Sequence, residues 1–361
     1  MNDATQLKPP TRPVYLKAVS AVTPVGLNAE QTAAAVRSGI SAYDESSIYN
    51  KRFNPMSMAL LPEDALPPLN EEISEEMPGL TSRQIRLLRL SHLALDELMA
   101  KFPSIETLPI FLSGPEKLPE QTQPCYPQLI EHISKQSGVK FHEKHNVILP
   151  FGRAGGIWAL HYAMAYLQAG YSQYAIVGGV DTYLDLYLLG TLDAEDRILA
   201  EGIMDSFAPG EGAGFFIISS QPEPFEETSL NITLHPPGLA AEEGHRYSEE
   251  PYRGDGLAEA VTSALDKANL LPIQTIVASL NGENFGAKEL GVATTRNSDR
   301  LNPEYEISHP ADCFGDIGAA YFPVTVALTA QGFLENTIVS PVLDYASSEL
   351  QHRAAVCMSK N

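Results

Sequence analysis

Apolar residues of the first half of the chain fall into short runs that alternate with longer amphipathic segments. The runs "VYLKAVSAV" from Val14, "PIFLSG", "NVILPF" and "YAIVGG" (174–179) predict buried strands. The segment "TSRQIRLLRLSHLALDELMAKF" has apolar residues at helical spacing and predicts an amphipathic helix that begins at Thr81 or Ser82. A further helix over 154–168, between two of the strands, predicts a βαβ unit with parallel strands.

The same alternation returns after Leu230. "LAEAVTSALDKANL" predicts a helix, "TIVASLNGENFG" a strand that runs into a loop at Asn281, and "DIGAAYFPVTVALTAQGF" an apolar helix. "TIVSP" and "HRAAVCMS" predict the closing strands, whereas residues 43–79 predict an irregular surface segment. Two halves of similar plan indicate a layered α/β protein.

Composition and charge argue against several classes of function. The chain has 361 residues, 44% of them hydrophobic, and a formal net charge of -21, which disfavours nucleic-acid and membrane-surface partners. The three cysteines, Cys125, Cys313 and Cys357, predict neither a disulfide framework nor a zinc site. Residues 1–13 predict a disordered arm without a signal peptide, and no apolar run is long enough to cross a membrane, so the expected location is the cytoplasm.

The turn "PFGRAGG" (150–156) links a predicted strand to a predicted helix, a place where many enzymes carry a nucleophile. Here the turn presents Arg153, which stays protonated and opposes the helix dipole at a cost of about 0.3–1 kcal/mol. A compensating charge is therefore expected. It is either an internal carboxylate, with Glu211, Glu283 and Asp316 as candidates, or a bound anion.

Five segments in order resemble the β-ketoacyl synthase branch of the thiolase-like superfamily. They are "VSAVTPVGLNAEQTAAAVRSGIS", "GRAGGIWALHYAMAYLQAGYSQYAIVGGVDT", "FAPGEGAGFFIIS", "EEPYRGDGLAEAVTSALDKANLLPIQTIVASLNGE" and "CFGDIGAAYFPVTVAL". The resemblance implies an α/β/α/β/α sandwich of two βα halves, 14–228 and 229–361, in one compact unit. It also implies a homodimer in which "HNVILPF" pairs across a twofold axis.

The resemblance also implies that the catalytic residues are absent. The position of the family's cysteine nucleophile falls on Arg153, that of its first histidine on Asn281 and that of its second histidine on Gly315. The family's lysine falls near Pro310, and "YASSELQH" replaces its glycine-rich gating loop. Condensation needs a thiolate and oxyanion donors, so no catalytic residue is expected.

Residues near these positions are candidates for a pocket. They are Arg153, Asn281, Glu283, His309, Cys313 and Asp316. Cys313 beside His309 could form a relocated nucleophile, but two nearby acids are expected to raise its thiol pKa, which favours a packing role. No cofactor and no metal is predicted.

The leading hypothesis is a non-catalytic ketosynthase-like protein with a binding, scaffold or accessory role. Degenerate members of the superfamily occur as chain-length partners of active ketosynthases and in bacterial type VI secretion loci. The partner would be an effector, an adaptor or an acyl carrier protein. The adaptor or accessory setting is favoured, because the sequence lacks the close likeness to an active enzyme that a chain-length partner usually keeps. The alternative is an acyltransferase, a 3-oxoacyl-carrier-protein synthase-related enzyme or a chain-length partner, with altered chemistry.

Overall fold

Strands from both halves of the chain join in one hydrogen-bonded sheet. The structure, a computed structural model, describes residues 7–103, 107–119, 121–142, 144–222 and 230–360. The strands of the first half are β1 (Val14–Val22), β2 (Asp44–Tyr49), β3 (Pro55–Met58), β4 (Ile110–Ser113), β5 (Val147–Leu149), β6 (Tyr174–Thr182) and β7 (Glu211–Ser219). Those of the second half are β8 (Ile232–Leu234), β9 (Gly238–Ala241), β10 (Ile273–Ala278), β11 (Leu301–Ser308), β12 (Val342–Ser347) and β13 (His352–Lys360).

The strand order runs β11-β10-β12-β13-β8-β1-β7-β6-β4-β5, with β9 attached to β13. β8 connects the two halves because it pairs antiparallel with both β1 and β13. β4 lies parallel between β5 and β6, which confirms parallel strands around the predicted βαβ unit. β5 ends the sheet, so one of its edges has no neighbouring strand within the described chain.

The helices form three layers, one between the two halves of the sheet and one on the outer face of each half. The helices of the first half are α1 (Ala29–Arg37), α2 (Glu71–Glu76), α3 (Ser82–Lys101), α4 (Leu129–Ser137), α5 (Gly155–Gln168) and α6 (Leu186–Ala194). Those of the second half are α7 (Asp255–Ala268), α8 (Asn284–Arg296), α9 (Ala311–Phe314) and α10 (Tyr321–Leu334). α5 and α10 pack between the halves, α3 and α4 cover the outer face of the first, and α7 and α8 cover the second. The predicted α/β/α/β/α sandwich is confirmed.

Local sequence explains the placement of these helices. Asn28 caps α1 by accepting a hydrogen bond from Gln31, and Thr81 and Gln84 form a capping box at the start of α3. The two central helices, α5 and α10, approach closely at Gly156. A Cβ atom built there would lie 2.8 Å from Cβ of Phe322, so a larger residue would separate the two helices.

The structure differs from the sequence-based expectation in several places. Residues 43–79 contain the β2–β3 hairpin and α2, and the strand expected at "TIVSP" begins only at Val342. Backbone groups of Thr11 and Arg12 hydrogen-bond Gln168, so this part of the N-terminal arm is not the disordered segment expected. Residues 1–6 and the boundary expected at 228/229 lie outside the described residues. No described helix is both long and apolar enough to span a membrane.

Candidate functional site

The glycine turn at 150–156 places the Arg153 side chain in the protein interior. β5 ends at Leu149, a single 3₁₀ turn covers Gly152–Ala154, and α5 begins at Gly155. Gly152 has a φ of +60°, which glycine adopts without strain. Arg153 is only 8% exposed, so its charge requires partners inside the protein.

Asp316 is the principal partner of Arg153. The Arg153 Nε donates to both Asp316 carboxylate oxygens at 3.0 Å, and Nη2 makes a shorter bond to Oδ2. Of the three carboxylates considered from the sequence, Asp316 forms this pair. Glu211 instead accepts two hydrogen bonds from Arg86. Glu283 likewise pairs with other arginines.

Glu349 is the second partner of Arg153 and was not predicted from the sequence. Its Oε1 accepts from Nη2 of Arg153 at 2.9 Å and from Nη2 of Arg197 at 3.0 Å. Its Oε2 lies 3.2 Å from Nε of Arg246. Three guanidinium groups from separate segments therefore surround one carboxylate.

Glu283 and Asn281 complete the network. Glu283 accepts from Nε and Nη2 of Arg197, both at 2.8 Å, and lies 3.1 Å from Nη2 of Arg246. The Asn281 amide donates to Glu283 at 3.1 Å and to Asp316 at 2.9 Å. Both hydrogens of that amide are used within the network, so none is left for a substrate carbonyl.

Opposite charges in this network stabilise one another. Burial disfavours the charged form of Arg153, but Asp316 and Glu349 raise the pKa of Arg153 well above its usual value. Burial likewise raises the pKa of Glu349, yet Arg197, Arg153 and Arg246 together hold that pKa well below its usual range. Three arginines thus face three buried carboxylates, and the partly exposed Glu195 lies 3.5 Å from Nη1 of Arg197.

The loop between β12 and β13 is hydrogen-bonded to the turn that carries Arg153. By the resemblance, this loop replaces the glycine-rich loop of the family. Ser348 Oγ accepts from the Ala154 N–H at 3.0 Å, satisfying a donor at the start of α5. Glu116 accepts from the backbone N–H groups of Glu349 and Leu350 at 3.0 and 3.2 Å. Burial, and next the charge of Glu349, raise the pKa of Glu116 to about 8.

Gly315, at the position of the second histidine, cannot take a side chain without strain. Its φ is +73° and its ψ is -172°, a region that is essentially glycine-only. A Cβ atom built there would lie 2.7 Å from the carbonyl oxygen of Ala208. A histidine at this position would therefore be strained.

His309 and Cys313 take no part in the network. His309 is 48% exposed at its side chain, and its Nδ1 lies 2.8 Å from a carboxylate oxygen of Asp312. Cys313 packs in the apolar core between the halves. Burial, and next Asp312, raise the pKa of its thiol. The predicted direction is right, but burial is the larger cause.

Little space remains around Arg153. Two cavities that it lines have volumes of about 30 and 20 Å³. Each has room for one or two water molecules, whereas a small-molecule site takes roughly 300–1,000 Å³. The centre of the fold is filled by its own ion pairs.

No protein-family model and no curated protein matches this chain. Solved structures do. "The ishigamide ketosynthase/chain length factor" is 14% identical, with a TM-score of 0.75 over 97% of this chain and 100% of that chain. A ketosynthase in complex with its chain length factor from Xenorhabdus doucetiae is 15% identical, with a TM-score of 0.73 over 97% and 98%.

A β-ketoacyl synthase from Burkholderia phymatum is similar to the same degree. It is 16% identical, with a TM-score of 0.72 over 97% of this chain and 100% of that chain. These likenesses establish the fold, which is the thiolase-like ketosynthase fold that the five sequence segments indicate. The fold alone does not specify a function, which depends on the residues of the site.

Proposed function

We propose that this protein is a non-condensing member of the ketosynthase fold that acts as a binding, scaffold or accessory partner. The observation that carries the proposal is the buried network in which Arg153 stands at the nucleophile turn and engages both Asp316 and Glu349. An arginine that remains protonated cannot attack a thioester. The cavities that Arg153 lines have volumes of only about 30 and 20 Å³, which is too small for an acyl chain.

The donors needed for oxyanion stabilisation are committed elsewhere. Both amide hydrogens of Asn281 go to carboxylates, and Gly315 has no side chain to offer. The guanidinium groups at the centre are likewise paired with Asp316, Glu283 and Glu349, whereas catalysis requires donors that are preorganised toward the developing oxyanion. These contacts support a loss of the whole reaction and not only of its first step.

A second protein chain is the partner that the fold supports best. The edge of β5 that has no neighbouring strand in the described chain offers backbone groups for pairing with another chain, and β5 lies within "HNVILPF", the segment on which the homodimer prediction rests. Two similar structures are of ketosynthases with chain length factors, which supports a heteromeric partnership of that kind. An effector or adaptor of a type VI secretion locus, or an acyl carrier protein, is an alternative partner that co-purification can identify.

An acylation assay tests the proposal. The protein is incubated with acyl-coenzyme A and with acyl carrier protein, and its intact mass is measured beside an active ketosynthase. We expect the control to gain the acyl mass and this protein to gain none. An adduct on Cys125, Cys313 or Cys357 would restore the acyltransferase alternative.

A further inference from the structure

Arginines from three separate segments contact a single carboxylate, that of Glu349. Arg153 comes from the turn before α5, Arg197 from the segment after α6, and Arg246 from the segment between β9 and α7. Arg153 and Arg197 each also hold a carboxylate of their own, Asp316 and Glu283. Glu349 therefore occupies a place at which guanidinium groups converge from several directions.

Glu349 extends into this place from the β12–β13 loop. A separate carboxylate ligand would occupy the same place. A cavity of about 30 Å³ lies beside it and is lined by Arg153, Arg246 and Phe285. Arg246 stacks over the Phe285 ring at 4.7 Å and is 22% exposed at its side chain. The cavity thus leads from the buried arginines to a partly exposed one.

We propose that Arg153, Arg197 and Arg246 form a carboxylate-binding site that Glu349 fills in cis. A small aliphatic carboxylate of the acetate class binds there when the Glu349 side chain is absent or withdrawn. This inference goes beyond the proposed function, because it assigns a ligand class to the centre and does not depend on the protein being non-condensing.

The charge and the geometry of the three guanidinium groups both favour a small carboxylate as the ligand. Arg197 also lies 3.5 Å from a carboxylate oxygen of Glu195, and removal of Glu349 takes one negative charge away from the three arginines, so a monoanion would replace the charge that is lost. Guanidinium groups bind planar carboxylates through paired N–H donors. A phosphate with nearly two charges would bring more negative charge into the buried centre than the Glu349 carboxylate that it replaces.

The test is chemical rescue of Glu349→Ala. Its thermal unfolding is followed in acetate, in acetamide and in chloride at constant ionic strength. We expect a saturable rise in Tm with acetate only, of about 2 °C when acetate reaches ten times its Kd. Where the variant does not fold in chloride, refolding in acetate is expected to recover a larger soluble fraction than refolding in chloride.

Glu349→Gln is the matched control, because its amide keeps the shape of the carboxylate and still fills the place. We expect acetate to affect this variant no more than chloride does. Equal responses of Glu349→Ala to all three solutes, no response to any, or an equal acetate response of Glu349→Gln would overturn the inference. Such a result would leave the acylation assay, and with it the proposed function, unaffected.

Discussion

Arg153 and Asp316 lie 163 residues apart in the sequence and meet in the interior through Nε hydrogen bonds of 3.0 Å to both carboxylate oxygens. The pair joins the turn before α5 to the segment before α10, the two helices that form the central layer. In the resembled family these two segments carry the nucleophile and the second histidine. Here the same segments are linked by an ion pair.

Removal of Arg153 should destabilise the protein strongly. Arg153→Ala leaves Asp316 and Glu349 buried with too few cations, and we expect a loss of about 3–5 kcal/mol in the free energy of unfolding, measured by urea denaturation. Arg296→Ala is the control, because Arg296 and Asp255 form an ion pair with both side chains about half exposed. That variant should lose at most about 1 kcal/mol. Similar losses for the two variants would contradict a buried network.

Replacement of Glu116 should change how stability depends on pH. The pKa of Glu116 is about 8 in the folded state, above its ordinary value of 4.5. Between these values the unfolded chain releases a proton that the folded protein keeps. Wild-type stability therefore falls as pH rises, by about 1.4 kcal/mol per pH unit from this group, and levels off above its folded pKa.

Glu116→Gln mimics the protonated carboxyl and removes this titration. Relative to wild type, the variant should gain stability steadily from about pH 5 to pH 8, as measured by urea unfolding at several pH values. A difference between the two proteins that stays constant with pH would show that Glu116 titrates normally.

The family triad should not be recoverable by substitution at its three positions. Arg153→Cys combined with Asn281→His and Gly315→His would place a side chain at a backbone with a φ of +73°. The new thiol would also lie beside Asp316 and Glu349, which raise the pKa of a thiol. We expect no acyl adduct by intact mass, and a stoichiometric adduct would show that the scaffold still supports acyl transfer.

The backbone part of that argument can be measured alone. Gly315→Ala should cost about 1–3 kcal/mol in unfolding free energy, because Cβ would be strained and would lie 2.7 Å from the Ala208 oxygen. Gly190→Ala, within α6, has no atom within 4 Å of the new Cβ and should instead stabilise by about 0.5–1 kcal/mol. Equal effects at the two glycines would refute strain at Gly315.

Local patterns in the sequence predicted a layered α/β protein and the need for a partner of Arg153, and the resemblance of five segments implied the α/β/α/β/α arrangement. Strand and helix periodicity, the glycine turn and the misplaced cation can all be read within short windows. Glu349 was missed because it lies 196 residues from Arg153 in a loop without periodicity. Arg197 and Arg246 also lie outside regular elements, and only the packing of both halves brings these three charges together.

Decarboxylation of malonyl-coenzyme A tests the central claim most directly, because this step needs oxyanion donors but no nucleophile. The account predicts no carbon dioxide release above the uncatalysed rate, since Arg153 and Asn281 already donate to Asp316, Glu349 and Glu283. Saturable release by the wild-type protein that falls in Asn281→Ala would contradict it, because the donors would then be available to a substrate.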